Sequence, residues 1–100
     1  MNIEINKTEE RVNVVMNGEL DTLAAEMAEP QVKEIEATAT LPITIDCTAL
    51  DYISSSGLRL LLRIRKAANQ YGNKVTLIGV NANIMEVLNI THFNKMFEIL

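Results

Sequence analysis

The sequence predicts an α/β fold: a mixed, mostly parallel sheet of four to five strands with three to four packed helices. After an opening hairpin, short apolar segments with the two-residue period of strands alternate with segments that have helical spacing. Such alternation is typical of parallel strands joined by right-handed crossovers. In addition, 100 residues, 48% of them hydrophobic, have the length and composition of one core. We therefore expect a single domain over residues 1–100.

The first two strands are predicted at residues 2–6 and 11–17, where apolar and polar residues alternate. The short polar stretch between them favours a tight turn and hence a hairpin. In the second strand, Val15 makes the outward face partly apolar as well. We therefore expect the second strand to lie deeper in the sheet than the first.

A helix is predicted to begin after Asp21, whose carboxylate can cap the first turn. Leu23, Met27 and Ile35 form a loose helical stripe, which we expect to face the core. Pro30 falls within this stripe and cannot donate the backbone hydrogen bond of a helix interior. The helix is therefore expected either to kink, or to end about two residues earlier and begin again with Pro30 in its first turn.

Later segments continue the alternation. A short strand is predicted at residues 43–47, and residues 48–52 are expected to be a connection into the next helix. Residues 74–80 form the most apolar strand, and because both of its faces are apolar we expect it to be central. A short helix capped by an asparagine and a last strand at residues 96–100 complete the pattern.

Three hydroxyls, on Ser54, Ser55 and Ser56, precede the strongest helical pattern in the chain. The stripe expected to face the core consists of Leu58, Leu61, Ile64, Ala68 and Tyr71. Serine is a favoured N-cap because its oxygen accepts hydrogen bonds from the free amides of the first turn. The same amides and the positive end of the helix dipole attract anions. The stretch therefore places a modifiable hydroxyl where a phosphate is favoured; alternatively, the serines only cap the helix and form a tight turn.

Composition disfavours several classes of function. A net charge of −4 and an isoelectric point of about 4.9 disfavour binding to nucleic acid or to anionic membranes. Cys47 has no cysteine partner and is expected to be a small buried residue, and His92 has no histidine partner, so we expect no metal and no cofactor. No apolar stretch approaches the roughly 18 residues that cross a bilayer. We expect a soluble cytoplasmic domain without membrane insertion.

Three stretches together resemble the STAS domain, in particular the stand-alone bacterial anti-sigma factor antagonists. They are Gly18-Glu19-Leu20-Asp21 after the second strand, Ile45-Asp46 at the end of the third, and Ile53-Ser54-Ser55-Ser56-Gly57-Leu58 at the start of the long helix. The resemblance extends over essentially the whole chain and implies a STAS-like sheet. In such antagonists, a serine at the start of this helix is phosphorylated by a kinase that is also the anti-sigma factor.

The resemblance implies a binding module that is not an enzyme, with Ser55 as the phosphoacceptor. Ser54 takes the place of the acidic residue that usually precedes this serine, so it is a competing candidate. The implied partners are an anti-sigma factor that is also a serine kinase, whose sequestration frees a sigma factor, and a serine phosphatase. The residues expected to contact the partner are Asp21, Asp46, Ser54, Ser56, Gly57 and Arg59.

The residues alone leave other interpretations open. Asp21 could be only a helix cap, Asp46 could bond nearby backbone amides, and Gly57 could simply allow close approach at the helix start. Arg59 follows Ser55 by one helical turn, so it could lie beside a phosphate or simply face solvent. The alternative function is a STAS module in another assembly, such as a signalling scaffold or the cytosolic subunit of a lipid transporter. A serine hydrolase is disfavoured because the Gly-x-Ser-x-Gly elbow is absent.

Overall fold

The predicted alternation of strands and helices is present, with one additional strand directly before the long helix. The computed structural model describes residues 1–100. In chain order the elements are β1 (Asn2–Lys7), β2 (Val12–Leu20), α1 (Thr22–Met27), α2 (Glu29–Ala37), β3 (Ile43–Asp46), β4 (Leu50–Ile53), α3 (Ser55–Asn69), β5 (Val75–Ile78), α4 (Ala82–Ile90), a short 3-10 helix (Phe93–Lys95) and β6 (Glu98–Ile99). All six strands form one sheet, which confirms the mixed α/β architecture with one strand more than the four to five predicted.

The sheet is mixed because β1 pairs antiparallel with β2, whereas the remaining pairs are parallel. Its order is β1-β2-β3-β5-β6, and β4 pairs with the last residues of β2. β2 thus lies between β1 and β3, which confirms that the second strand is deeper in the sheet than the first. β5 is also interior, because the chain returns through α4 and places β6 outside it. The central strand of this order is β3, with two strands on each side.

The helices cover one face of the sheet. All four of them contribute side chains to a single hydrophobic core of 25 buried residues. The strand residues that point into this core include Val12, Val14, Met16, Ile43, Ile45, Val75 and Leu77. The residues between them, such as Asn13, Thr44 and Thr76, lie on the opposite face and are only partly buried. One-sided burial therefore explains the alternating pattern of these strands.

The helix is interrupted before Pro30 and begins again with Pro30 in its first turn, which confirms the second of the two predicted alternatives. Ala28 ends α1 and precedes α2, and Pro30 occupies the first turn of α2, where its missing N–H is not needed. The predicted stripe is only partly correct. Ile35 is buried, but Leu23 and Met27 are 65% and 73% exposed. Small alanines form the core side of α1 and let the helix approach closely, so the larger apolar residues point outward.

The long helix α3 begins at Ser55 and ends at Asn69. Its predicted stripe is buried from Leu58 to Ala68, but Tyr71 is 59% exposed because the helix ends before reaching it. A turn with Gly72 at a positive φ of 73° follows directly. Neither α3 nor any shorter helix combines the length and the apolar composition that crossing a bilayer would require.

β4 was not predicted, and the expected connection over residues 48–52 is wrong in its second half. Leu50–Ile53 pairs in parallel with the end of β2, with an irregular register between Gly18 and Glu19. Only the first and last residues of β4 are buried, and the two between them are exposed. The strand therefore lacks the two-residue alternation by which strands are recognised.

Alkylation of Cys47 is expected to be about a thousandfold slower in the folded protein at pH 8 than in the unfolded chain. Burial, together with the nearby charge of Asp46, raises the pKa of the Cys47 thiol from 9.0 to about 12. Since only the thiolate reacts, this shift lowers the reactive fraction about a thousandfold. Iodoacetamide labelling with and without urea, followed by mass spectrometry, measures both rates; equal rates would contradict the prediction.

The same shift makes stability depend on alkaline pH. The unfolded chain loses the thiol proton near pH 9, whereas in the folded chain Cys47 has a pKa of about 12. The folded state therefore binds one more proton than the unfolded state between these values, and the free energy of unfolding falls as the pH rises through them.

Candidate functional site at the start of the long helix

Ser54 fastens the start of α3 to the end of β2. Its Oγ accepts a hydrogen bond from the Gly57 N–H at 3.1 Å and donates to the Leu20 carbonyl oxygen at 3.0 Å. The backbone N–H of Ser54 donates to the same Leu20 oxygen at 2.9 Å. Ser54 is the N-cap of α3 and is half-buried. Its hydroxyl is therefore occupied by the fold in both its donor and its acceptor roles.

Ser55 is the first residue of α3 and is exposed. Its hydroxyl makes no hydrogen bond within the chain, in contrast to that of Ser54. Ser56, the next residue, is half-buried. Of the three hydroxyls in the row, that of Ser55 is therefore the most accessible to another protein. It also lies where the free N–H groups of the first helical turn favour negative charge.

Gly57 is buried and serves close packing rather than exposure to a partner. A Cβ atom at this position would lie 2.8 Å from the Leu20 Cγ and 2.9 Å from the Ile53 Cγ1. Both distances are far shorter than normal carbon contacts. A glycine is therefore needed for α3 to start directly against the ends of β2 and β4, as one of the two initial interpretations of Gly57 expected.

Asp21 lies next to the serines because Leu20, the residue before it, is bonded to Ser54. The Asp21 Oδ1 accepts a hydrogen bond from the Ala24 N–H at 2.8 Å and caps α1, as predicted. Asp21 itself is exposed. The fold thus brings the capped starts of α1 and α3 together at the end of β2.

Asp46, which was expected to contact the same partner as Asp21 and the serines, lies apart from this group. It pairs in register with Val15, whereas Ile53 pairs with Leu20, five residues further along β2. At about 3.3 Å per residue this separation is roughly 16 Å. The unpredicted strand β4 occupies the intervening edge of β2.

The carboxylate of Asp46 instead stabilises the loop after β3. Its Oδ1 accepts from the Thr48 Oγ1 at 2.6 Å and from the Thr48 N–H at 2.9 Å. These two bonds lower the pKa of Asp46 from its ordinary value. The bonding of nearby groups is the simpler of the two roles considered for Asp46. The fold gathers no group of three or more His, Cys, Asp or Glu side chains that could hold a metal ion.

Arg59 lies one helical turn after Ser55, is exposed and makes no ion pair. Two other arginines of α3 are held within the fold. Arg63 pairs with Glu29 and Glu36, each at 2.7 Å, and the Arg65 Nε donates to a backbone carbonyl at 2.7 Å. Residues four apart on a helix are neighbours on its surface. The guanidinium of Arg59 is therefore free to contact a group on Ser55 or on a docked protein.

A groove that the sequence did not indicate borders this site. It has a volume of about 630 Å³ and lies between α1 and the adjoining ends of β1 and β2. Its lining includes Asp21 together with Leu23 and Met27, the two apolar residues expected in the core. The signal that could have revealed it is that small residues, Ala25 and Ala28, take the buried positions next to the core, which leaves the larger residues facing outward.

Residues 2–100 match the family model of the STAS domain. The anti-sigma-B factor antagonist of Staphylococcus aureus is 25% identical over 99 residues, which span 99% of this chain and 92% of that protein. The crystal structure of an anti-sigma factor antagonist from Mycobacterium paratuberculosis is similar with a TM-score of 0.84 at 17% identity, covering 98% of this chain and 83% of that one.

The anti-sigma factor antagonist SpoIIAA of Bacillus is similar in an unphosphorylated and in a phosphorylated form. The unphosphorylated form has a TM-score of 0.76 and the phosphorylated form 0.74, each at 18% identity over 99% of this chain. These comparisons cover 87% and 91% of the SpoIIAA chains. The named relatives are regulators, and the match of sequence and fold extends over nearly the whole molecule. The chain therefore belongs to the STAS domain family, whose antagonist members are regulatory binding modules and not enzymes.

Proposed function

We propose that the chain is an anti-sigma factor antagonist controlled by phosphorylation of Ser55. In the unphosphorylated state it binds an anti-sigma factor that is also a serine kinase, and this sequestration frees a sigma factor. A serine phosphatase restores the binding state. The function is cytoplasmic and involves no nucleic acid. The antagonist relatives support this proposal, and SpoIIAA, a relative solved in a phosphorylated form, supports the mode of control.

The observation that carries the proposal is the contrast between neighbouring serines. Ser55 presents an unbonded, exposed hydroxyl at the first position of a helix. The hydroxyl of Ser54 is held by two hydrogen bonds, so a kinase would have to disrupt the start of α3 to reach it. This difference favours Ser55 over Ser54 as the acceptor.

The physical basis of the switch lies at the interface rather than in the fold. In the kinase reaction the Ser55 Oγ replaces ADP on the γ-phosphorus of ATP and loses its proton. The product carries about −1.5 to −2 charges. The start of α3 tolerates this charge, with roughly 0.3 to 1 kcal/mol in its favour. A partner surface that covers a neutral hydroxyl does not, because burying an unpaired charge costs several kcal/mol.

Trypsin is expected to release a singly phosphorylated peptide of residues 34–59 after the protein is incubated with ATP and its kinase. The kinase is obtained by pull-down from the native bacterium with and without ATP, identified by mass spectrometry and purified. The phosphate should be present on the Ser54→Ala and Ser56→Ala variants and absent from Ser55→Ala. A phosphate that persists on Ser55→Ala, or recovery of scaffold or transporter subunits instead of a kinase, would contradict the proposal.

A further inference from the structure

The outer face of α1 presents large apolar side chains to solvent. Leu23 is 65% exposed and Met27, one helical turn later, is 73% exposed. Met1, on the opposite side of the groove described above, is 44% exposed. Neighbouring exposed apolar side chains that form a groove are uncommon on a protein that acts alone, and they mark interaction surfaces.

The fold itself does not require these side chains. The core side of α1 is formed by Ala25 and Ala28, which are 5% and 3% exposed. Glutamine at position 23 or 27 would leave those contacts unchanged and would be more soluble. The apolar character of the outer face therefore has a use other than packing within the chain.

The rim of this groove is acidic. Glu19 and Asp21 both contribute to its lining. Both carboxylates are exposed, and the ion pairs of the protein are confined to Arg63 and its two partners on α2. An apolar floor with an unpaired acidic rim is complementary to an apolar side chain flanked by basic residues.

The groove is continuous with the serine site. Asp21 lines the groove, and the residue before it, Leu20, accepts the Ser54 Oγ hydrogen bond at 3.0 Å. A protein that covers Ser55 and extends over the start of α1 would therefore cover Leu23 and Met27 as well. The two surfaces together form a contact area larger than either one alone.

We propose that this groove is the second half of the docking surface for the kinase partner and receives an apolar side chain of that partner flanked by lysine or arginine. The inference rests on the proposed function, because it assigns the occupant to the protein that also covers Ser55. The apolar contact contributes affinity in both states of Ser55, whereas the serine site makes that affinity dependent on phosphorylation.

The test compares the double variant Leu23→Gln and Met27→Gln with Leu100→Gln. Leu100 is 76% exposed and follows β6, at the opposite edge of the sheet from β1, so it controls for the loss of exposed apolar surface. Calorimetric titration with the purified kinase is expected to show affinity weakened at least about tenfold for the double variant and unchanged for Leu100→Gln. Thermal unfolding should be unchanged in both variants, because neither changes a buried side chain.

A charge reversal tests the acidic rim separately. Glu19→Lys is expected to weaken binding, whereas Glu10→Lys, at an exposed position in the turn between β1 and β2 at the opposite end of these strands, makes the same change of charge away from the groove and should not. Equal effects of the two reversals would overturn the assignment of the rim.

The outcomes separate the groove from the serine switch. If phosphorylation of Ser55 abolishes kinase binding but the double variant binds normally, the groove assignment fails and the proposed function stands. If the double substitution removes self-association of the protein in sedimentation and leaves kinase affinity unchanged, the groove is a contact between two copies and the inference is overturned. If no kinase binds the unmodified protein, both proposals fail.

Discussion

Phosphorylation of Ser55 is expected to weaken binding of the kinase partner at least about a hundredfold while leaving the fold intact. A hundredfold loss corresponds to about 2.7 kcal/mol. That amount is smaller than the several kcal/mol needed to bury an unpaired charge. The fold should survive because Ser55 is exposed at the start of α3, where the helix dipole favours negative charge, and the cation of Arg59 lies one turn away.

The measurement uses the phosphoprotein, the mimic Ser55→Asp and the control Thr40→Asp. Thr40 is exposed in the loop before β3, at the other end of the sheet, so its substitution adds the same charge away from the site. Affinity should fall for the first two proteins and not for the third, while circular dichroism and unfolding temperature stay close to those of the unmodified protein. A phosphoprotein that is unfolded or globally rearranged would show that the switch acts through the fold.

The order of elements could be predicted because it depends on local patterns. The alternation in β2, the stripe of α3 and the position of Pro30 each follow from the spacing of a few side chains. β4 could not be predicted in this way. Leu50 and Ile53 are buried at its two ends, and the irregular register at Gly18 and Glu19 removes the regular alternation. A strand that forms mainly because of the neighbouring strand it pairs with need not show the alternating pattern in its own sequence.

The unpredicted strand also explains why Asp46 lies apart from Ser54. Residues 48–52 were expected to lead directly into the serine helix, and Asp46 was expected to contact the same partner as Ser54. In the structure β4 extends along β2 beyond β3 and moves the serines to the far end of that strand. The Asp46 carboxylate then bonds Thr48 alone. The position of one unpredicted strand thus decides which of these side chains lie together.

The choice among the serines needed the tertiary fold as well. Each of the three can cap a helix, and the sequence does not say which one does. The capping position is decided by Leu20, whose carbonyl oxygen accepts from both the backbone N–H and the Oγ of Ser54. The orientation of α1 also needed the tertiary fold. A periodic apolar pattern, such as that of Leu23 and Met27, does not say which side of a short helix faces the core.

Gly79→Ala is expected to destabilise the protein by about 3 kcal/mol, and Gly72→Ala by only about 1 kcal/mol. The two glycines have nearly the same backbone conformation, with φ of +69° and +73°. A side chain is strained at both positions. They differ in their surroundings: a Cβ at Gly79 would overlap the Thr48 Oγ1 and lie 3.0 Å from the Thr48 backbone N and Cα, whereas a Cβ at Gly72 has nothing within 4 Å.

Urea denaturation of the two variants separates conformational strain from steric overlap. Since about 1 kcal/mol shifts the unfolding temperature of a domain of this size by roughly 4–8 °C, Gly79→Ala should also lower it by more than about 10 °C. If both variants lost the same free energy of unfolding, Thr48 would have to move aside without destabilising the protein.

If Thr48 has to move, a further effect follows from its two hydrogen bonds to Asp46. Those bonds lower the pKa of Asp46, so in the unmodified protein they contribute stability at neutral pH that is lost as the pH falls through the lowered value. Gly79→Ala should therefore lose part of this acid dependence, whereas Gly72→Ala should retain it. Kinase binding at Ser55 should survive in both variants at temperatures where they remain folded, because β4 separates the loop of Asp46 from the serine site.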